Sequence, residues 1–113
     1  MPNVITTKID QTLLKKLTEY FFVDMVKYVV DIEKEILAID AELHSDEEES
    51  LLKGGSKQNN LWGINLYPEL SGDDFIEFDS MINIRPRQNN RSRSVENTEL
   101  QKRIRDIVSL LIT

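Results

Sequence analysis

Two pairs of residues in this chain have the types and spacing to hold a divalent metal ion. Glu77-x-Asp79 and Glu42-x-His44 each set two ligand-bearing side chains two residues apart, which on a β-strand puts both on one face. With Asn83 and Arg85 they could form a site on the polar face of a sheet. Such a site would bind Mg²⁺ or Mn²⁺, which prefer carboxylate oxygens, and activate water against a phosphoester. The plainer reading is a solvated strand face with cross-strand ion pairs such as Lys27 with Glu42. His44 is the sole histidine. It could act as a general base. No Ser, Cys or paired carboxylate has an indicated position beside it, so a part-buried histidine bonded to a loop is the ordinary expectation. Neither a Ser-His-Asp nor a Cys-His arrangement can be built, and there is no glycine loop to cradle phosphate.

The second chemical signal is a loop of arginines. Between Ser80 and Val95 there is no acidic residue, but Arg85, Arg87, Arg91 and Arg93 stand together. The chain carries 20 acidic and 14 basic residues, so outside this stretch acids outnumber bases two to one. Asn89, Asn90, Ser92 and Ser94 are turn-formers that hold such a loop out from the core. Guanidinium groups suit bidentate contact with carboxylate or phosphate. Three uses are open: binding phosphate or RNA, docking an acidic partner, or pairing with the protein's own acids. Internal pairing would take Arg85 to Glu77 or Asp79, and Arg91 to the run Asp46–Glu49.

Composition narrows the choice. With a net charge of -6 the surface repels a nucleic-acid backbone, so nucleic acid is disfavoured against an acidic protein partner. By strand parity Trp62 points inward, which removes a stacking platform for RNA. There is no cysteine, hence no disulfide framework and no thiolate metal site. The first residues carry no signal-peptide pattern, and no apolar run approaches the ~20 residues of a membrane span. A single cytoplasmic domain over residues 1–113, not associated with a membrane, is the expectation.

The elements that would position these residues follow from periodicity. A weak first strand over Val4–Ile9 precedes a helix over 11–21, capped by Asp10, with Leu13, Leu14, Leu17, Tyr20 and Phe21 at helical spacing. Residues 26–32 and 37–43 alternate better as a hairpin than as one long helix. Even residues of the first strand beside odd residues of the second make one face wholly apolar. The turn at Glu33-Lys34-Glu35 has no Gly or Asn, so a loop longer than two residues is expected. Ser45 and Glu48 have the spacing of a capping box for a short helix over 46–53, ended by Gly54 or Gly55. Strands follow at 61–67, with Trp62, Ile64 and Leu66 on one face, and at 75–85, long enough for a central place in the sheet. Asn97 caps a last helix over 98–111 with Leu100, Ile104, Ile107, Val108 and Leu111 on its buried stripe. The core is expected to hold Leu17, Val26, Tyr28, Val30, Ile39, Trp62, Ile64, Phe78, Ile82, Ile104, Ile107 and Val108. The fold class is α+β: an antiparallel sheet of four or five strands, two helices on one face, a short capped helix in the connection, and an opposite face at least partly open.

Several motifs carry a resemblance. Glu42-Leu43-His44, Leu61-Trp62-Gly63-Ile64-Asn65-Leu66-Tyr67-Pro68, Glu77, Ser80-Met81-Ile82-Asn83-Ile84-Arg85-Pro86 and Asn90-Arg91-Ser92 resemble those of a family of small prokaryotic proteins known only as a domain of unknown function. The likeness runs from about Lys27 to the C-terminus. It departs at Asp40-Ala41, in place of a Gly-Gly pair, and at Asn89, in place of a Gly; Asn tolerates the positive φ such a turn requires. The family brings no activity and no catalytic residue.

The reading that results is a non-enzymatic binding or regulatory module without a cofactor. It would recognise an acidic protein through Arg85, Arg87, Asn90, Arg91 and Arg93 and the adjoining polar strand face. The alternative is the Mg²⁺- or Mn²⁺-dependent phosphoester hydrolase built on Glu42, His44, Glu77 and Asp79.

Overall fold

A computed structural model describes residues 3–5, 25–39, 43–67, 70 and 72–112. The helix expected over 11–21, its core residue Leu17, and Glu42 lie outside the described residues. Five antiparallel strands form one sheet: β1 (Asn3–Ile5), β2 (Val26–Asp31), β3 (Ile36–Ile39), β4 (Leu61–Leu66) and β5 (Ile76–Glu77), in the order β1-β3-β2-β4-β5. Two α-helices lie among the described residues, α1 (His44–Lys53) and α2 (Thr98–Leu111).

The hairpin forms with the expected register: Val30 pairs with Leu37 and Val29 with Ala38. Its four-residue turn, Ile32–Glu35, is built by Asp31. One carboxylate oxygen of Asp31 accepts from the backbone N–H groups of Glu33 and Lys34, both at 2.9 Å, and the other accepts from the Ser56 hydroxyl at 2.6 Å. These bonds satisfy a buried carboxylate and let Glu35 take the left-handed φ of 56° that closes the turn. Val26, Tyr28, Val30, Leu37, Ile39, Trp62, Ile64 and Leu66 make the apolar face. Over it lie Ile104, Ile107, Val108 and Leu111 of α2. The Asn97 carboxamide oxygen caps that helix, accepting from Glu99 and Leu100 N–H at 2.9 and 3.1 Å.

The other face is covered by α1 over part of its area and stays partly open, as expected, along a cleft beside Lys27 and Glu77. Val29, Ala38 and Leu61 are buried with Leu51 of α1, and Ile36 and Ile82 pack at the margin. The reason is visible in β2, where Val29 interrupts the polar alternation and needs cover. The helix α1 starts at His44 with Leu43 as N-cap and no side-chain cap. The expected Ser45–Glu48 capping box is absent because the helix already begins at His44, which puts Ser45 inside it; Glu48 lies 3.7 Å from Arg85. Its end is as expected. Gly55, at φ 98°, allows Ser56 N–H to reach Leu51 O at 3.0 Å and Gly55 N–H to reach Leu52 O at 3.1 Å, the paired bonds of a Schellman end.

The largest departure is the run 75–85. It is strand only at Ile76–Glu77, and at the sheet edge; β2 is the central strand. Phe78 still packs on the main core and Ile82 on the smaller one, both half-buried. Between them Ser80 ends the extended course. Its side chain accepts from Ile82 N–H at 3.3 Å and caps a 3₁₀ turn at Met81–Asn83, a local bond that competes with a ladder.

Candidate binding site

The edge of β4 that β5 leaves uncovered is completed by side chains. Asn83 is fully buried. Its carboxamide oxygen accepts from Gly63 N–H at 2.8 Å, and its NH₂ donates to Gly63 O and Arg93 O, both at 2.9 Å. One amide thus does for Gly63 what a paired strand residue would do. The contact demands glycine at 63, since a Cβ there would lie 2.5 Å from Ser80 Cβ and 2.6 Å from its Oγ.

Further along the edge, Arg85 donates to Leu61 O from one terminal nitrogen, to Gln58 O at 2.9 Å from the other, and to Ile82 O at 3.0 Å from Nε. Its guanidinium lies 4.7 Å from the centre of the Trp62 ring. Burial lowers the Arg85 pKa while Glu48 opposes the shift. Arg85 is therefore not a displayed partner-binding group, and its carboxylate neighbour is Glu48 rather than Glu77 or Asp79. Asn90 is likewise internal. Its NH₂ donates to Asn83 O, Ser92 O and Ser94 O at 2.6, 3.2 and 2.7 Å, and its oxygen accepts from Glu96 N–H at 2.8 Å. Arg85 and Asn90 also bridge through their backbones, and Asn89 closes the loop at φ 59°, as its replacement of Gly allows.

Held by this base, Arg87, Arg91 and Arg93 are exposed. No carboxylate engages Arg87 among the described residues. Arg91 does not reach the Asp46–Glu49 run; the charge beside it is Glu96. The Ser92 hydroxyl and the backbone N–H groups of Ser92 and Arg91 hold the Glu96 carboxyl below its ordinary pKa. Arg93 pairs with Asp79 at 2.7 Å, both side chains about half exposed.

That ion pair stands at the wall of a cleft of about 380 Å³ which also takes in His44, Asn65, Glu77 and Lys27. So three of the four metal-site candidates line one cleft. Each is engaged: Glu77 accepts from Asn65 Nδ2 at 2.9 Å and from the Tyr67 hydroxyl at 3.0 Å, and Asp79 holds Arg93. His44 Nε2 lies 2.8 Å from Ile64 O. A carbonyl only accepts, so Nε2 carries the hydrogen and Nδ1 keeps the lone pair. Burial lowers the His44 pKa, with the Ile64 carbonyl the largest opposing influence. Among the described residues no three His, Cys, Asp or Glu side chains form a group that could hold a metal ion.

Sequence reasoning missed Asn65 and Glu96, and it placed Asn83 on an open polar face rather than in the buried seal. Asn83 and Asn65 lie inside the motifs of the resemblance, but an Asn on a polar strand face carries no sign of being buried. Glu96, five residues past Arg91, could have been found as the nearest acid to the loop.

The fold and the loop define a small α+β protein whose sheet edge is sealed by side-chain amides and one guanidinium, with arginines presented beyond it. The chain belongs to the family described as Protein of unknown function (DUF5674), whose family model matches residues 3–111. The match begins ahead of Lys27, where the motif resemblance starts, and takes in β1. No curated protein and no solved structure matches the chain. No described helix is long and apolar enough to cross a membrane.

Proposed function

We propose that this protein is a non-enzymatic binding module that takes an acidic protein segment on Arg87, Arg91 and Arg93. The observation that carries the reading is the contrast within the loop. Asn90 fixes its base with four hydrogen bonds, while Arg87 is exposed and engaged by no carboxylate among the described residues. A preordered loop presents its guanidinium groups at little further ordering cost. Arg93 can exchange Asp79 for a partner carboxylate, because a half-exposed ion pair contributes little stability. The net charge of -6 favours a short acidic segment over a phosphate backbone. An acidic peptide, eight Glu or Asp residues long, tests this by titration against ¹⁵N-labelled protein. The Nε–H resonances of the three arginines should move saturably, and the effect should weaken with salt. The triple variant Arg87→Ala, Arg91→Ala, Arg93→Ala should bind at least about tenfold more weakly, the loss of one to two charge-assisted bonds. Equal binding by both proteins defeats the reading.

That His44, Glu77 and Asp79 line one cleft is what supports a second reading, the Mg²⁺- or Mn²⁺-dependent phosphoester hydrolase. It would need Glu77 and Asp79 to leave their present partners, and it would need Glu42 to join them. Mn²⁺ titration with observation of paramagnetic broadening at residues 44, 77 and 79 tests it; broadening unchanged by Glu77→Gln and Asp79→Asn rejects it.

A further inference from the structure

The cleft beside the Arg93–Asp79 pair has a rim that its polar groups do not explain. Glu77 is engaged by Asn65 and Tyr67, Asp79 by Arg93, and His44 by Ile64 O. What is left uncovered is apolar. Met81 is 65% exposed, more than any other large apolar side chain among the described residues, and Leu43 is 54% exposed. Both line this cleft. Single exposed apolar residues are ordinary, but two that share a concavity rimmed by charge have the pattern of a contact site.

Neither residue is loosely presented. Leu43 is the N-cap of α1, and its carbonyl accepts from the N–H groups of Asp46 and Glu47 at 3.2 and 3.4 Å. Met81 opens the 3₁₀ turn Met81–Asn83, which Ser80 caps. The same turn holds the arginine, since Ser80 N–H and the Asn83 NH₂ both donate to Arg93 O, at 3.0 and 2.9 Å. The backbones of Met81 and Arg93 thus belong to one hydrogen-bonded unit, which sets an apolar side chain and a guanidinium on one cleft.

We propose that this cleft takes a large apolar side chain, of the size of leucine, from the acidic segment that Arg87, Arg91 and Arg93 bind. This rests on the reading above and adds one requirement on the partner, an apolar residue set among its carboxylates. Charge complementarity chooses the occupant. Arg93 stands on the cleft wall, so a carboxylate that displaces Asp79 brings the partner's neighbouring side chain to Leu43 and Met81. Asp79, 42% exposed, is then left to water. The arginines draw an acidic chain by long-range charge, and the anchor supplies the buried contact in which binding energy concentrates. Methionine suits the task, because its unbranched thioether adapts to side chains of different shape. A seated anchor also excludes water from the Arg93 contact, and a hydrogen bond strengthens where the local dielectric is low.

Two peptides of equal charge separate the anchor from the arginines: glutamates flanking a central leucine, and the same peptide with alanine in that place. They are titrated against protein carrying ¹⁵N and ¹³C-methyl methionine. The chain has three methionines, and Met81→Ser assigns one methyl resonance by removing it. That methyl should shift saturably with the leucine peptide. The leucine peptide should bind about tenfold more tightly than the alanine peptide, as partial burial of its extra carbons gives. The double variant Leu43→Ser, Met81→Ser alters exposed residues only and puts serine at a helix N-cap, where it is favoured. It should fold as the wild type does and bind both peptides, with no preference for leucine. Equal affinity of the wild type for the two peptides, with the arginine Nε–H resonances still moving, overturns the anchor and leaves the arginine reading standing. If neither peptide moves the arginine or Met81 resonances, both fail together. A leucine preference kept by the double variant overturns the proposal. So does a Met81 methyl that shifts with protein concentration and not with peptide, the sign of a second copy in the cleft.

Discussion

The two edges of β4 are held by different means. On one side, six consecutive residues, Leu61–Leu66, pair with Asp31–Val26 of β2 in an unbroken antiparallel register. On the other, two residues, Asn65 and Leu66, pair with β5, and then the partner strand turns away. Asn83 completes Gly63, and Arg85 covers Leu61 O. A backbone ladder satisfies each residue independently of its side chain, so it tolerates substitution. A side-chain seal concentrates several backbone bonds on one residue and makes that residue indispensable. In return the chain is free to leave the sheet at Ser80 and build the loop that displays Arg87, Arg91 and Arg93. It also leaves little unpaired edge at Leu61–Gly63 on which another strand could add.

The sharpest way to break this contrast is Asn83→Ala. The substitution would orphan Gly63 N–H and Gly63 O around a fully buried site and leave Arg93 O with Ser80 N–H alone. At ~1–3 kcal/mol for each buried unsatisfied group, urea denaturation should show a loss of about 2 kcal/mol or more. A loss below about 1 kcal/mol would mean that the edge is not held by this amide.

A smaller effect comes from the glycine that the seal requires. Gly63→Ala places a methyl 2.5 Å from Ser80 Cβ, and overpacking of this kind costs ~1–3 kcal/mol. Ser80→Gly removes the atoms that clash but gives up the cap on the 3₁₀ turn. The double variant should therefore be more stable than the sum of the single losses predicts, by about 1 kcal/mol. Strict additivity would show that the close approach of Ser80 to Gly63 does not limit residue 63.

The same contrast explains what could be read from the sequence. The β2–β3 register, the inward face of Trp62, Ile64 and Leu66, and the buried stripe of α2 follow from periodicity, because a ladder or a helix repeats and so leaves a pattern. The seal leaves none. Ile76, Phe78, Ser80 and Ile82 alternate as a strand would, yet the chain stops being one where the Ser80 side chain binds Ile82 N–H. Arg85 and Asn90 looked like displayed polar groups because their residue types suit a surface. Their burial depends on carbonyls of Gln58 and Leu61, 24 to 27 residues away, and on loop carbonyls whose positions only the folded backbone defines. The arginine cluster itself was legible as charge, but which guanidinium groups remain displayed was not.

The smallest expected effect comes from His44, which sits above the laddered part of β4 and donates to Ile64 O from Nε2. Its folded pKa is lowered, chiefly by burial, against an ordinary value near ~6.5 in the unfolded chain. As pH falls through that range the unfolded state takes up the proton first. The stabilising contribution is thus complete above the unfolded value and is lost as pH drops toward the folded one. One site bounds the slope at ~1.4 kcal/mol per pH unit. There is no other histidine, and the lowered pKa of Glu96 places its own loss at still lower pH, so the comparison with a variant at residue 44 between pH 5 and 7 reads the imidazole. His44→Gln can retain a donor toward Ile64 O and cannot titrate. Urea midpoints measured across the interval should fall toward acid for the wild type and stay level for the variant. If the two fall in parallel, the acid sensitivity belongs to another group. If neither falls, the imidazole is no harder to protonate in the folded protein than in the unfolded chain, and its burial beside Ile64 would have to be reconsidered.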